Sequence, residues 1–463
     1  MGNRAASPRA HARTFRNLTL VVVALVAVAT MAAALPAQAA AASLQSRLTS
    51  ALAAHGFAGA ATGVRVYDLS AGRLLYSRHA ATRLVPASNE KLATTSTALG
   101  RWGAAFRFKT ELYATGTLDT KGVYHGRLYL KGYGDPTLST TWWQRHRLHL
   151  TTSNLHHFVT ALKNAGVKKI VGRLVGDESY FDRVRAVACW KPGMSDYCGP
   201  LSALSLDQGI GAKGQRVSNP AMWAVSELTA MLKDAGVPVS RTPVLGTTPS
   251  SATLSYTEYS ATLGRILARM DKPSDNFIAE MLAKGLGARF GTGGTTAAGV
   301  KVERAWLVKQ GLGGRRLQLT DGSGLSYYDR LTPGGITKLL QRLAVRKDWK
   351  TSFGALSVAG RDGTLMDRMK HTAAAGNLHG KTGTLNVASC LSGYVISANG
   401  HRLAFSMMMN GNWVDVGAAH AAQDRIGVLL ARARPAGPIV WQPEPAAAAS
   451  AAQPPAAASA PGT

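Results

Sequence analysis

The chain has 463 residues, 46% of them hydrophobic and 17% charged, which gives a globular composition with length for two or three domains and a sizeable core. Fifty-three Lys and Arg against 25 Asp and Glu leave a formal charge of +28, which favours polyanionic surroundings such as nucleic acid, anionic lipid or an acidic cell wall. The basic residues are scattered and form no nucleic-acid-binding signature, so charge alone does not choose among these partners.

The first segment does choose. Arg4, Arg9, Arg13 and Arg16 precede a mainly apolar run from Leu18 to Leu35, and Ala37-Gln38-Ala39 is a small-x-small cleavage signal. That layout is a secretory signal peptide over residues 1–39, with the mature chain beginning near Ala40. A retained membrane helix is the competing reading, and the many alanines and the cleavage signal argue against it. Export points to the cell wall as partner and away from nucleic acid.

Ser43 to His55 has the pattern of an amphipathic helix. Val64–Leu69 and Arg73–Ser77 read as two strands joined through Ser70-Ala71-Gly72. Pro86-Ala87-Ser88-Asn89-Glu90-Lys91 then leads into a small-residue helical stretch ending at Gly100. Ser88 stands at the helix entrance, where free N–H groups favour a developing oxyanion. Lys91, three residues on, shares its face, and a lysine desolvated among apolar neighbours can act as the base for that hydroxyl. Taken alone, Ser-x-x-Lys marks only a helix start.

Thr110–Leu118 and Gly126–Gly132 form another hairpin pattern around Asp119-Thr120-Lys121-Gly122, followed by a helix near Asn154–Ala165 and a strand at Lys169–Val175. Cys189 and Cys198 flank a short loop and, in an exported chain, are expected to pair, with Cys390 a buried free thiol in a strand. Helices are expected over Ala221–Ala235 and Ala261–Met270. Ser274-Asp275-Asn276 follows Pro273 and opens the helical stretch Phe277–Leu282. Asp321-Gly322-Ser323-Gly324-Leu325-Ser326 and Gly360-Arg361-Asp362-Gly363-Thr364 are turn clusters. Lys381-Thr382-Gly383 follows His379-Gly380 and precedes a β-like run. Gly393–Ser397 and Leu403–Met409 read as antiparallel strands about Asn399-Gly400, with the methionines as core, and Ala418–Arg432 as a closing helix. From Pro435 the Ala/Pro-rich composition reads as a disordered tail.

Ser-x-x-Lys, Ser-Asp-Asn and Lys-Thr-Gly in this order are the motif set of penicillin-binding proteins and β-lactamases. Together with Gly132-Tyr133-Gly134-Asp135-Pro136, Leu201-Ser202-Ala203-Leu204-Ser205 and the Asp321 turn, they make the chain resemble the class C low-molecular-mass penicillin-binding proteins from about Leu44 to Arg432. That family comprises D-alanyl-D-alanine carboxypeptidases and endopeptidases. The resemblance implies an α+β fold: a penicillin-binding-protein/β-lactamase-like domain, with helices and a five-stranded antiparallel sheet, carrying an inserted strand-rich domain. The expected division is 40–109 and 251–434 for the penicillin-binding domain, 110–250 for the insert and 435–463 for the tail. The span between Ser88 and Ser274 is short for two full inserted domains, so one is expected to be absent or reduced.

The resemblance implies Ser88 as nucleophile and Lys91 as base, with the Ser88 and Thr384 N–H groups holding the oxyanion. It implies that Ser274 passes a proton to the leaving amine, that Asn276 holds the substrate amide, and that Lys381 with Thr382, Gly383 and Thr384 receives the terminal carboxylate. Relatives often carry an arginine after the Asp-Gly-Ser-Gly-Leu-Ser turn, and here Tyr327 follows, which leaves open a charge-based pocket for the diaminopimelate side chain. No metal or other cofactor is implied, and the histidines lack His-Glu-x-x-His spacing, with His379 a strand residue beside the site. The implied activity is hydrolysis of peptidoglycan stem peptides by a secreted or wall-associated enzyme, with β-lactams as covalent inhibitors and the basic surface facing the anionic wall. A β-lactamase and a non-catalytic penicillin-binding sensor are the alternatives.

Overall fold

The computed structural model describes residues 1–2, 44–59 and 61–439. The expected signal-peptide segment, beyond its first two residues, and the tail beyond residue 439 lie outside the described residues.

Helix α1 covers residues 44–53 and is followed by strands β1 (Thr62–Asp68) and β2 (Arg73–Arg78). A 3₁₀ turn (Ala87–Glu90) runs directly into α2 (Lys91–Trp102). Next come β3 (Arg107–Leu118), β4 (Val123–Gly132), the single turn α3 (Thr141–Trp143), α4 (His156–Asn164), β5 (Lys169–Asp177), α5 (Pro220–Asp234), β6 (Val244–Leu245) and β7 (Thr253–Thr262). The chain continues through α6 (Leu263–Asp271), α7 (Asn276–Phe290), α8 (Thr296–Lys309), α9 (Pro333–Ala344) and α10 (Trp349–Ala355). It closes with β8 (Ser357–Val358), β9 (His379–Leu385), β10 (Ala388–Ile396), β11 (Arg402–Asn410) and α11 (Val416–Ala431).

Two sheets organise these elements. The first runs β2-β1-β11-β10-β9-β8 and is antiparallel throughout, so the five long strands expected are present and two-residue β8 extends their edge. Both its faces are covered. Leu403, Phe405, Met407 and Met409 of β11 pack in one buried cluster with residues of α1 and α11, while Ala404 and Met408 pack in another with Ile336, Leu339, Leu340 and Leu343 of α9. A strand buried on both faces is apolar without alternation, which is why the methionine run carries no cofactor meaning.

The second sheet runs β6-β5-β4-β3-β7, with β4–β5 and β5–β6 parallel and the β3 pairings antiparallel. The Asp119 carboxylate closes the β3–β4 hairpin by accepting from the Lys121 and Val123 N–H groups. The sheet reaches beyond the expected 110–250 span: β3 begins at Arg107, and β7 lies wholly after residue 250. Because β7 ends at Thr262, helix α6 starts at Leu263, later than the Ala261 expected.

The cysteines depart from expectation. All three are free thiols. Cys189 Sγ lies 3.6 Å from Ser326 Oγ. Cys198 is buried with Phe181, Leu201, Phe277 and Met281. The 3₁₀ turn Met194–Tyr197 lies between them, and Cys198 Sγ donates to Gly199 O at 3.4 Å. Cys390 is buried in β10 as expected, and burial pushes its thiol up to about 12.

Candidate active site

The nucleophile candidate is presented by a tight turn between the first sheet and α2. Ala87 adopts φ +47°, a costly conformation for a residue with a side chain, and surrounding contacts hold it. Gly324 approaches so closely that a Cβ there would lie 2.0 Å from the Ala87 carbonyl oxygen, and its φ of +78° also suits glycine. On the other side, a Cβ on Gly383 would meet Pro86 O at 2.8 Å and Ser88 N at 2.9 Å. The glycine of the third motif therefore lets β9 press against the turn bearing Ser88. Asn89 Nδ2 ties the same turn to β9 by donating to Lys381 O at 3.2 Å.

Lys91 is fully buried in the first turn of α2. Its Nζ lies 2.9 Å from Ser88 Oγ and 2.7 Å from both Asn276 Oδ1 and Ser323 O. The last two are carbonyl oxygens and can only accept. A neutral amine has two N–H donors for them and one lone pair, which is then directed at the Ser88 hydroxyl. Burial pulls Lys91 down to about 8, against the opposing pull of Asp321 and Glu280.

Ser274 takes φ +65° just ahead of α7, whose N-cap Asp275 accepts from Ile278 N. That bend leaves Ser274 Oγ receiving a 2.8 Å hydrogen bond from Lys381 Nζ, which also donates to Thr382 O at 3.0 Å. Lys381 is fully buried on β9, and burial followed by the charge of Lys91 holds it below the ordinary lysine range. Thus Ser88, Lys91 and Asn276 form one bonded group and Ser274 with Lys381 another, with Gly383 between β9 and the nucleophile turn. Thr384 is exposed on β9, whereas the Thr382 hydroxyl donates to Thr364 Oγ1 at 2.7 Å. His379 stacks on Phe353 at 4.0 Å between ring centroids. Among the described residues no group of three His, Cys, Asp or Glu could hold a metal ion.

Several residues beneath these groups, Asp271 and Glu280 above all, were not singled out from sequence, while the Asp321 turn was. Asp271, fully buried at the end of α6, accepts from Thr95 Oγ1 and carries a negative charge felt by both lysines. Glu280 of α7 accepts from Gly322 N at 3.1 Å and Ser323 N at 2.8 Å. It thereby fixes the turn whose Ser323 carbonyl receives Lys91. Asp321 holds the same turn from within, accepting from Gly324 N and Ser326 N, and receives Trp190 Nε1 at 2.7 Å. Glu90, Glu303 and Asp329 complete a buried acidic layer.

Burial first, then mutual repulsion, raises this layer: Glu280 to about 8, and Glu90, Glu303 and Asp329 well above the usual carboxylate range. A raised carboxyl keeps its proton in the fold at pH values where the unfolded chain has lost it. Its contribution is therefore fully present below the unfolded carboxylate range, falls progressively as pH rises above that range, and is gone once pH passes the native pKa. The melting temperature is expected to fall by several degrees or more between pH 5.5 and pH 8.5. Glu280→Gln, which keeps an acceptor for Gly322 and Ser323 without a charge, should flatten that fall. An unchanged pH slope of melting in the variant would contradict the assignment.

With this geometry in view, comparison with known proteins is decisive. The family model described as D-Ala-D-Ala carboxypeptidase 3 (S13) matches residues 44–214 and 211–433. The chain belongs to the D-Ala-D-Ala carboxypeptidase 3 (S13) family. A D-alanyl-D-alanine carboxypeptidase of Actinomadura sp. (strain R39) is 32% identical over 455 residues, covering 81% of each chain. The crystal structure of penicillin-binding protein 4 from Haemophilus influenzae superposes with a TM-score of 0.70 at 21% identity, over 80% of this chain and 96% of that one. The same Haemophilus protein complexed with a β-lactam gives a TM-score of 0.63 at 23% identity, over 79% and 94% of the two chains. The S13 family membership and the penicillin-binding-protein-like α+β fold agree with the sequence motifs.

Proposed function

We propose that the protein is a serine-type D-alanyl-D-alanine carboxypeptidase acting on peptidoglycan stem peptides through an acyl-enzyme on Ser88, and that β-lactams acylate the same serine. The observation that carries this is the environment of Lys91: Nζ sits within 2.9 Å of Ser88 Oγ, Asn276 Oδ1 and Ser323 O, and because the last two can only accept, loss of one proton turns the lone pair to Ser88.

In this reading neutral Lys91 removes the Ser88 proton as Oγ attacks the carbonyl of the penultimate D-alanine. The Ser88 and Thr384 N–H groups receive the oxyanion. Ser274, bonded to Lys381, delivers a proton to the leaving amine. Lys381 supplies positive charge for the terminal carboxylate, and Thr384 a further donor. Asn276, whose Oδ1 is held by Lys91, keeps its Nδ2 for the substrate amide in place of Tyr197 O, its present acceptor at 2.9 Å. Water then hydrolyses the ester. The second sheet, built between the nucleophile and Ser274, is read as the inserted domain. Action outside the cytoplasm, with the basic surface against an anionic wall, fits the net charge of +28.

The test measures D-alanine release from a stem-peptide mimic alongside turnover of a chromogenic β-lactam. Peptide hydrolysis with slow, stoichiometric β-lactam acylation is expected. Rapid β-lactam turnover without D-alanine release would overturn the reading in favour of a β-lactamase. Acylation without either turnover would make the protein a sensor.

A further inference from the structure

Beside the second motif lies a cleft of about 340 Å³ whose walls include Ser274 and Asn276 but no residue of β9. Three arginines from separate parts of the chain line it: Arg147, Arg216 and Arg269. Arg147 belongs to a π-helical turn, Gln144–Leu148, that follows α3 and stops at His149 with φ +48°. Such turns are rare and recur at functional sites. Arg269 of α6 braces this turn by donating from Nη2 to Arg147 O at 2.9 Å, and Arg147 packs its guanidinium 5.4 Å from the Trp143 ring centroid.

The charges are unbalanced. Of the two carboxylates in the wall, Asp275 is already engaged, accepting from Ile278 N and from Gln208 Nε2 at 2.9 Å. Asp196 lies 3.8 Å from Arg216. Among the described residues neither Arg147 nor Arg269 has an ion-pair partner. A polar cleft carrying two unpaired guanidinium groups, next to residues that bind and protonate substrate, is complementary to an anion and matches a carboxylate fork in geometry.

We propose that this cleft is a subsite for a second carboxylate of the peptide substrate, remote from the terminal carboxylate received by Lys381. The subsite rests on the peptidase reading above. It places recognition of an acidic side chain on the Ser274–Asn276 side of the nucleophile, supplied by Arg147 and Arg269 rather than from the Tyr327 position.

Two peptides ending in D-Ala-D-Ala, alike except that the preceding residue is glutamate or glutamine, test it through the ratio of their kcat/KM values. The wild-type chain should prefer the glutamate peptide by roughly tenfold at low salt, the scale of two partly exposed ion pairs, and the preference should shrink as added salt screens them. The double variant Arg147→Gln/Arg269→Gln should bring the ratio close to one, and Arg147→Lys/Arg269→Lys should restore part of it. Penicillin labelling of Ser88 in each variant checks that the site is still formed. A wild-type ratio near one, or a ratio unchanged in the glutamine double variant, overturns the subsite while leaving the peptidase reading intact. Release of D-alanine from neither peptide overturns the peptidase reading and this subsite with it.

Discussion

Lys91→Met is expected to slow acylation of Ser88, by peptide or β-lactam, about a thousandfold, within the range that a positioned general base contributes. The argument is one of partners. Methionine fills a similar volume but offers neither a lone pair to Ser88 Oγ nor donors to Asn276 Oδ1 and Ser323 O, which Lys91 now serves at 2.7 Å. Two carbonyl oxygens are left short of a donor, a stability cost of about 1–3 kcal/mol each. Loss of a buried ammonium offsets part of that, because desolvation already disfavours its charge. The variant should therefore stay folded while it fails to acylate. In the wild-type protein the free amine grows as pH passes about 8, so the acylation rate should climb through that region. Stopped-flow labelling with a fluorescent penicillin reads both effects. Wild-type labelling by folded Lys91→Met protein would move the base elsewhere.

The same residues show what the linear chain reveals. Ser88 and Lys91, Ser274 and Asn276, and Lys381 through Thr384 stand out in the sequence as candidates because each is a short contiguous motif, and the fold joins Ser88, Lys91 and Asn276 in one bonded group and Ser274 with Lys381 in another. The first sheet was legible for a related reason: β10 and β11 are apolar runs joined through an Asn-Gly turn. Burial of carboxylates is harder to see. Glu280 reads as an ordinary polar position on a helix, yet α7 is buried on nearly every side, and only the folded Asp321 turn explains its acceptor role. Asp271 stands three residues before Ser274 and looks like a helix end until Thr95 and the two lysines gather around it. Strand β7 escaped because Thr253–Thr262 mixes polar and small residues and pairs as an edge strand exposed over much of its length. Helices α8 and α9 did carry signals: Thr295 and Thr332 cap them, and Pro333 occupies the first position of α9.

Lys381→Met is expected to reduce D-alanine release roughly a hundredfold or more, since one oriented group in a transition-state site is worth a few kcal/mol. The buried ammonium has two tasks that the variant removes together: it donates to Ser274 Oγ at 2.8 Å, and it is the cation of the third motif. Peptides that end in a free carboxylate and peptides that end in an amide separate the tasks. If charge recognition dominates, the loss is far larger for the free acid; if holding Ser274 dominates, both fall alike. Lys381→Arg should keep part of the free-acid activity, because the charge remains while the geometry changes. The sign of the pH effect follows from the lysine's depressed affinity for its proton, caused by burial and by Lys91. An arriving carboxylate favours the protonated form, so KM for the free acid should rise with pH as the coupled lysines lose that proton. Arginine does not lose its charge in this range, and the KM of Lys381→Arg should stay level over the same pH span. Normal turnover of the free acid by a well-folded Lys381→Met protein, with an unaltered melting curve, would remove Lys381 from the carboxylate site.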